Sequence, residues 1–288
     1  MTVSQAVIIG ASHAGAQIAA SLRQEKWDGD ILLIGNESAV PYHRPPLSKA
    51  YLAGRSTLEE LEIRNLEFYA KQNIQLLDAT VEAIDRSSGL LTLSNGETVA
   101  YDELALCLGA RTRRLPTPGA DLAGVFYLRT AADVELIREA ATTASNAVIV
   151  GGGYIGLETA SSLRALGLHV TVLEATERVL ERVTAPEVSA FFHRIHQEAG
   201  VSIRTGALVQ ALTGENRVEE VILAHGESIP ADIVIVGIGV EPNTELAAAA
   251  GLVVDNGVVI DSHARTSDPH IVAAGDCTSH DYARYGRR

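Results

Sequence analysis

The stretch Val148-Ile149-Val150-Gly151-Gly152-Gly153-Tyr154-Ile155-Gly156-Leu157-Glu158 runs from a buried-strand pattern through a glycine turn into a helix. The strand spans Ala147 to Val150, the helical pattern Tyr154 to Leu166, and a second strand Val170 to Leu173. This is a βαβ unit opened by a complete G-x-G-x-x-G fingerprint. The glycines allow a tight turn, close approach of backbone to a pyrophosphate, and close packing of helix on strand. The N-terminus of the helix attracts the phosphates. Glu174 ends the second strand, eighteen residues past Gly156. A carboxylate there accepts the ribose 2′-hydroxyl of NADH and repels the 2′-phosphate of NADPH. Arg178 stands beside Glu174 and Glu177, a poor setting for a phosphate, so NADH is the expected ligand.

The same grammar occurs earlier. A strand from Ala6 to Ile9 leads into Gly10-Ala11-Ser12-His13-Ala14-Gly15, then a small-residue helix from about Ala14 to Arg23 and a strand from Ile31 to Ile34. Ser12 replaces the middle glycine, and Glu37 lies twenty-two residues past Gly15. Two fingerprints imply two dinucleotides, and the simplest chemistry between them is NADH passing hydride to a flavin. Two nicotinamide sites, or one site and a decayed duplicate, are the other readings of the pattern.

The 288 residues are enough for two domains. Apolar residues make up 47% and charged residues 20%, ordinary for a folded α/β chain. A net charge of −13 and 5% aromatics argue against nucleic-acid binding. Cys107 and Cys277 form no paired motif, which removes a disulfide scaffold and a cysteine-held metal or iron–sulfur site. The histidines show no metal spacing. No apolar run reaches the length of a membrane span, and no signal peptide is evident, so the expected setting is cytoplasmic.

Between the fingerprints, Pro41-Tyr42-His43-Arg44-Pro45-Pro46-Leu47-Ser48-Lys49 reads as an ordered loop opening a short helix. Leu90 to Leu93 and Thr98 to Tyr101 flank Asn95-Gly96 as a hairpin, and Leu104 to Leu108 reads as a strand. Arg113 to Gly119 resembles a linker, with Arg111, Arg113 and Arg114 solvated. Ile233 to Val236 and Ile271 to Ala274 are further strands, the latter ending in Gly275-Asp276.

Gly10 to Gly15, Arg44-Pro45-Pro46-Leu47-Ser48-Lys49, Gly151 to Glu158 and Ala274-Gly275-Asp276 stand in the order found in one family. The chain resembles, along its whole length, the FAD-dependent NADH:ferredoxin reductases of the putidaredoxin reductase and rhodocoxin reductase kind, which include the reductase components of ring dioxygenases. The resemblance implies two Rossmann-like domains. A discontinuous FAD domain spans 1–112 and 242–288, and an NADH domain spanning 113–241 is inserted in it. It implies that Gly10, Ser12, His13, Ala14, Gly15, Glu37, Arg44, Pro45, Lys49, Gly109 and Asp276 contact FAD. Gly151, Gly153, Tyr154, Ile155, Gly156, Glu174 and Gly239 complete the cofactor sites on the NADH side. Lys49 and Glu158 are the implied catalytic pair, joined as an ion pair beside the flavin ring. His13 is expected as a pocket wall and His43 as a flavin-side contact. The family pattern continues past Asp276 into a further helix and a C-terminal interface domain that these 288 residues lack.

The wider family reduces disulfides through a cysteine on the far face of the flavin. Here that stretch reads His43-Arg44-Pro45-Pro46, with no cysteine before Cys107. The implied activity is therefore electron transfer from NADH through FAD to a [2Fe–2S] ferredoxin or a rubredoxin, serving a cytochrome P-450 or Rieske oxygenase. Arg284, Arg287 and Arg288 are the expected basic patch for an acidic carrier. The alternatives are a redox-responsive flavoprotein of the apoptosis-inducing-factor type and an NADH oxidase.

Overall fold

The computed structural model describes residues 4–282 together with 284 and 286. Arg287 and Arg288, which belong to the expected basic patch, lie outside the described residues. The helices are α1 (His13–Gln24), α2 (Leu66–Lys71), α3 (Ala131–Ala141), α4 (Tyr154–Ala165), α5 (Pro186–Glu198) and α6 (Glu245–Ala249). The chain divides into two compact units, one of residues 1–43, 61–111 and 241–288, the other of 44–60 and 112–240.

The first unit is built on a five-stranded parallel sheet. Its order is Ile271–Ala273, Glu103–Leu106, Gln5–Ile9, Asp30–Gly35, Ile74–Asp78. The central strands are continuous apolar runs because helices and a second sheet cover both faces. Strand alternation then sorts the side chains. Val7, Ile9, Leu32 and Ile34 point into one core, with Leu91 and Leu93 of the hairpin sheet and Ala247 of α6. Ile8, Ile31 and Leu33 point the other way, onto Ala19 of α1 and Tyr69 of α2. Each such aliphatic side chain contributes about 1.5–3 kcal/mol by burial. The expected hairpin is present: Leu90–Leu93 pairs antiparallel with Thr98–Ala100.

The second unit repeats the scheme. Its parallel sheet runs Ser202–Arg204, His169–Leu173, Asn146–Val150, Ile233–Val236, Val125–Tyr127. A three-stranded antiparallel sheet, Val209–Thr213, Glu220–Leu223 and Ser228–Pro230, packs on one face through Val209, Leu212, Val221 and Leu223.

Three expectations need correction. The proline segment forms a short 3-10 helix, Pro45–Ser48, and Lys49 closes it, where the sequence had Lys49 opening a helix. Residues 44–60, expected with the first domain, pack with the second unit. Tyr51 explains part of this: its hydroxyl bonds Glu135 and the Arg138 guanidinium lies 5.9 Å from its ring, both from α3. Burial first, and Glu135 second, push the Tyr51 phenol up to about 12. The arginines near the linker are not simply solvated. Arg111 pairs with Glu241 and Glu245, and Arg114 lies 4.1 Å over the Tyr127 ring.

Candidate active site

In each unit the central strand ends at a switch point, between the strand that follows it in sequence and one that returns from far along the chain. Ligands of open α/β sheets bind in the crevice at such a point. Gly10 and Gly151 stand there with φ of +112° and +114°. A methyl group at Gly10 would overlap the Cys107 carbonyl oxygen, and one at Gly151 the Gly237 carbonyl oxygen. Neither position can hold another residue. The third glycines are equally closed: methyl groups at Gly15 and Gly156 would overlap the carbonyl oxygens of Gly10 and Gly151.

Both helices open without a side-chain cap. Ser12 and Gly153 precede α1 and α4 in extended conformation, and neither residue's side chain caps the helix. The first-turn N–H groups of a helix have no intrahelical partner. Here no cap side chain takes them up, and the positive end of the helix dipole lies behind them. A methyl group at Gly153 would meet nothing within 4 Å among the described residues. A pyrophosphate fits both cradles, by close backbone and helix starts without a side-chain cap, and the second also by the open space at Gly153. His13, Ala14, Tyr154 and Ile155 form the first turns, with His13, Tyr154 and Ile155 exposed.

The acidic residues differ. Glu174 Oε2 accepts the Gly152 N–H at 2.7 Å, and Oε1 accepts the Thr176 N–H and hydroxyl, each at 2.9 Å. Its carboxylate is thus built into the glycine loop. Leu180 N–H donates to the Gly152 carbonyl at 3.0 Å, so the Gly152 residue is held at both its N–H and its carbonyl. Glu37 instead lies beyond its strand end and accepts the Tyr42 hydroxyl through Oε2. Arg178 spends its guanidinium on the carbonyls of Thr184 and Glu181 and on Ser189 Oγ.

Further residues of the first unit gather at its loop. His13 Nε2 is 3.2 Å from His43 Nδ1. Gly275 sits 3.1 Å from Ala14 Cβ, measured from the position a methyl group would take, so the exposed Asp276 turn abuts the first turn of α1. Asn243 donates its side-chain amide to the Leu108 carbonyl at 2.8 Å and its backbone N–H to the Gly109 carbonyl at 3.0 Å. Gly239, in the second unit, accepts the Arg113 N–H at 2.9 Å.

Lys49 Nζ lies 2.8 Å from Glu158 Oε2 within the second unit, and also donates to the Pro45 carbonyl at 3.0 Å. Two of its three N–H donors are so engaged. The side chain is 47% exposed, that of Glu158 29%. Arg44 donates to the Arg129 carbonyl at 2.8 Å, and Pro45 occupies the first position of the 3-10 turn.

Cys107 and Cys277 are buried thiols. Burial pushes Cys107 up to about 12 and raises Cys277 as well, so neither supplies a thiolate near neutral pH. No helix among the described residues is long and apolar enough to cross a membrane, and no group of three metal-ligating side chains gathers among them.

The family model described as pyridine nucleotide-disulphide oxidoreductase matches residues 4–287. Putidaredoxin reductase of Pseudomonas putida is 49% identical over 288 residues, covering 98% of this chain and 68% of the relative. A ferredoxin–NAD(P)(+) reductase of Sphingomonas is 43% identical over 276 residues, covering 95% of this chain and 67% of the relative. The chain thus spans about two thirds of these relatives' length. The crystal structure of the covalent putidaredoxin reductase–putidaredoxin complex superposes with a TM-score of 0.94 at 47% identity, over 99% of this chain and 70% of that one. With paired glycine cradles and this likeness along almost its whole length, the chain belongs to the pyridine nucleotide-disulphide oxidoreductase family, in its ferredoxin reductase branch.

Proposed function

We propose that the first unit holds FAD, the second NADH, and that the protein passes electrons from NADH to a small [2Fe–2S] ferredoxin serving a cytochrome P-450 or Rieske oxygenase. The observation that carries this reading is the same uncapped glycine cradle at the switch point of two separate parallel sheets. FAD, when bound, links a two-electron donor to a one-electron carrier.

The chain's own residues hold and orient. Gly10 and Gly15 let the α1 amides approach the FAD pyrophosphate, Glu37 serves its ribose, and Asp276 reaches the same loop. Gly151, Gly153 and Gly156 do this for NADH. Glu174 selects it: a 2′-phosphate would meet a carboxylate, and Arg178 is turned away. Lys49 would offer its third N–H to a bound flavin, with Glu158 keeping the ammonium in place and offsetting the cost of its partial burial. FAD contacts fall in 1–112 and 242–288, NADH contacts in 113–241, with Lys49 carried by a segment that packs with the second unit. The buried, protonated cysteines leave no dithiol relay, which favours a single-electron acceptor over a disulfide. Free thiols and NADH chemistry fit a reducing cytoplasm.

The visible spectrum tests the reading. The purified protein is expected to be yellow, to bleach with anaerobic NADH, and to recover colour on adding oxidised ferredoxin; rubredoxin serves as a parallel arm. Alkylating reagents should leave these steps unchanged. A colourless protein, equal reduction by NADPH, or inhibition by alkylation would each sink part of the proposal.

A further inference from the structure

Helix α4 carries Glu158 and Ser162 one turn apart, on one face. Ser162 is 95% buried, and its hydroxyl donates to the Ser48 carbonyl at 2.7 Å, with the Lys49 carbonyl at 3.3 Å. A helical serine ordinarily bonds back to the carbonyl four residues before it. This one reaches out of its helix to another segment. Ser48, also buried, donates its hydroxyl to Glu158 Oε2 at 2.7 Å, the oxygen that meets Lys49 Nζ. The Ser48–Lys49 peptide is therefore gripped twice. Glu158 holds the hydroxyl of one residue and the ammonium of the next, and Ser162 holds the carbonyl between them.

We infer that Ser162 is a positioning residue for Lys49: its hydroxyl fixes the backbone from which the lysine side chain extends. This rests on the reading that Lys49 serves the flavin. Ser162 is too buried to touch a ligand, so it acts through Lys49. A long lysine side chain has several rotatable bonds, and an exposed ion pair constrains it weakly. Fixing the peptide at its root restricts where the ammonium can go. Ser48 acts to the same end, since its hydroxyl keeps the shared Glu158 oxygen turned toward the lysine.

Four proteins test this: Ser162→Ala, Ser162→Thr, Lys49→Ala, and the Ser162→Ala/Lys49→Ala double variant. The first readout is the rate of flavin bleaching by NADH in stopped flow. The second uses apoprotein: acylation of Lys49 by an amine reagent, quantified by peptide mass spectrometry. Ser162→Ala is expected to slow bleaching about three- to tenfold, with flavin content and the NADH concentration dependence unchanged. It should raise Lys49 acylation severalfold. Ser162→Thr, which retains the hydroxyl, should restore both to within about twofold. The double variant should be no slower than Lys49→Ala, because a residue acting through Lys49 has nothing left to act on. A parent-like rate in Ser162→Ala beside a slow Lys49→Ala overturns this inference alone, as does an additive double variant. A parent-like Lys49→Ala overturns the reading of Lys49 and this inference with it.

Discussion

At Gly10 and at Gly151 the chain makes one turn twice, with different side chains filling the same frame. Ile9 pairs with Ile34 and Val150 with Leu173, so Gly35 and Glu174 hold corresponding places, Gly35 as the last residue of its strand and Glu174 just past the end of its own. Facing them are Ala11 and Gly152. In the first loop the bulk is on the turn: a methyl group at Gly35 would stand 2.5 Å from Ala11 Cβ. In the second it is on the strand end, where Glu174 reaches the Gly152 N–H. The backbone frame is conserved and the chemistry is not. One loop is packed by a methyl group, the other tied by a carboxylate. The middle positions differ too, serine in one and glycine in the other. Backbone geometry is what a pyrophosphate demands, and the two loops share it while their side chains differ.

The harshest test of this comparison uses the third glycines. Gly15→Ala and Gly156→Ala each force a methyl group into a backbone carbonyl, which should cost about 3 kcal/mol or more. Gly15→Ala should empty the protein of flavin. Gly156→Ala should stay yellow but no longer bleach with NADH. Flavin content and anaerobic titration separate them, and the reverse pattern would exchange the roles of the units.

Glu174→Gln comes next. Loss of a charge-assisted bond to the loop amide is worth about 1.5–3 kcal/mol, so NADH affinity should fall roughly tenfold to a hundredfold. The gap to NADPH should narrow as the repulsion is relieved. Glu37→Gln should weaken FAD retention by less, about 1 kcal/mol, because the glutamine amide keeps an acceptor oxygen for the Tyr42 hydroxyl that Glu37 now accepts. Dissociation constants from flavin bleaching and from dialysis give the two numbers. Equal losses would mean that the carboxylates do the same work.

The exchange of bulk between Ala11 and Gly35 can be run as a cycle. Gly35→Ala should destabilise the first unit by about 1–3 kcal/mol through overpacking. Adding Ala11→Gly should recover most of it, and urea unfolding measures the coupling. Simple additivity would show that the two positions are not one packing unit.

The smallest effect is expected at Gly153→Ser, which gives the second loop the first loop's pattern. The backbone there is extended at φ −77°, and a Cβ meets nothing among the described residues. Stability should change by less than about 0.5 kcal/mol. NADH binding should stay within about threefold.

Much of this was legible in the sequence because parallel strands and glycine turns obey local rules. The apolar runs at Ala6–Ile9 and Ala147–Val150, the two fingerprints and the Asn95-Gly96 hairpin each depend on neighbours a few residues away. The pairing of Lys49 with Glu158 came only through family likeness, since 109 residues separate them. Ser162 carried no readable signal except its place one turn after Glu158. Arg178 read as a charge near a nucleotide, but its direction depends on the loop that folds over it.

The sequence by itself determined that this protein has two βαβ nucleotide cradles, where glycine is obligatory and where each carboxylate follows. Those are consequences of backbone sterics and strand period, which act over a turn or a strand. Only the tertiary structure decided that residues 44–60 pack with the second unit, that Glu174 accepts the amide of its own glycine loop, and that α4 grips the peptide before Lys49. Each of these rests on contacts between segments far apart in the chain. Such contacts are chosen by which hydrogen bonds and volumes can be satisfied together in the folded protein, and no local pattern records that choice.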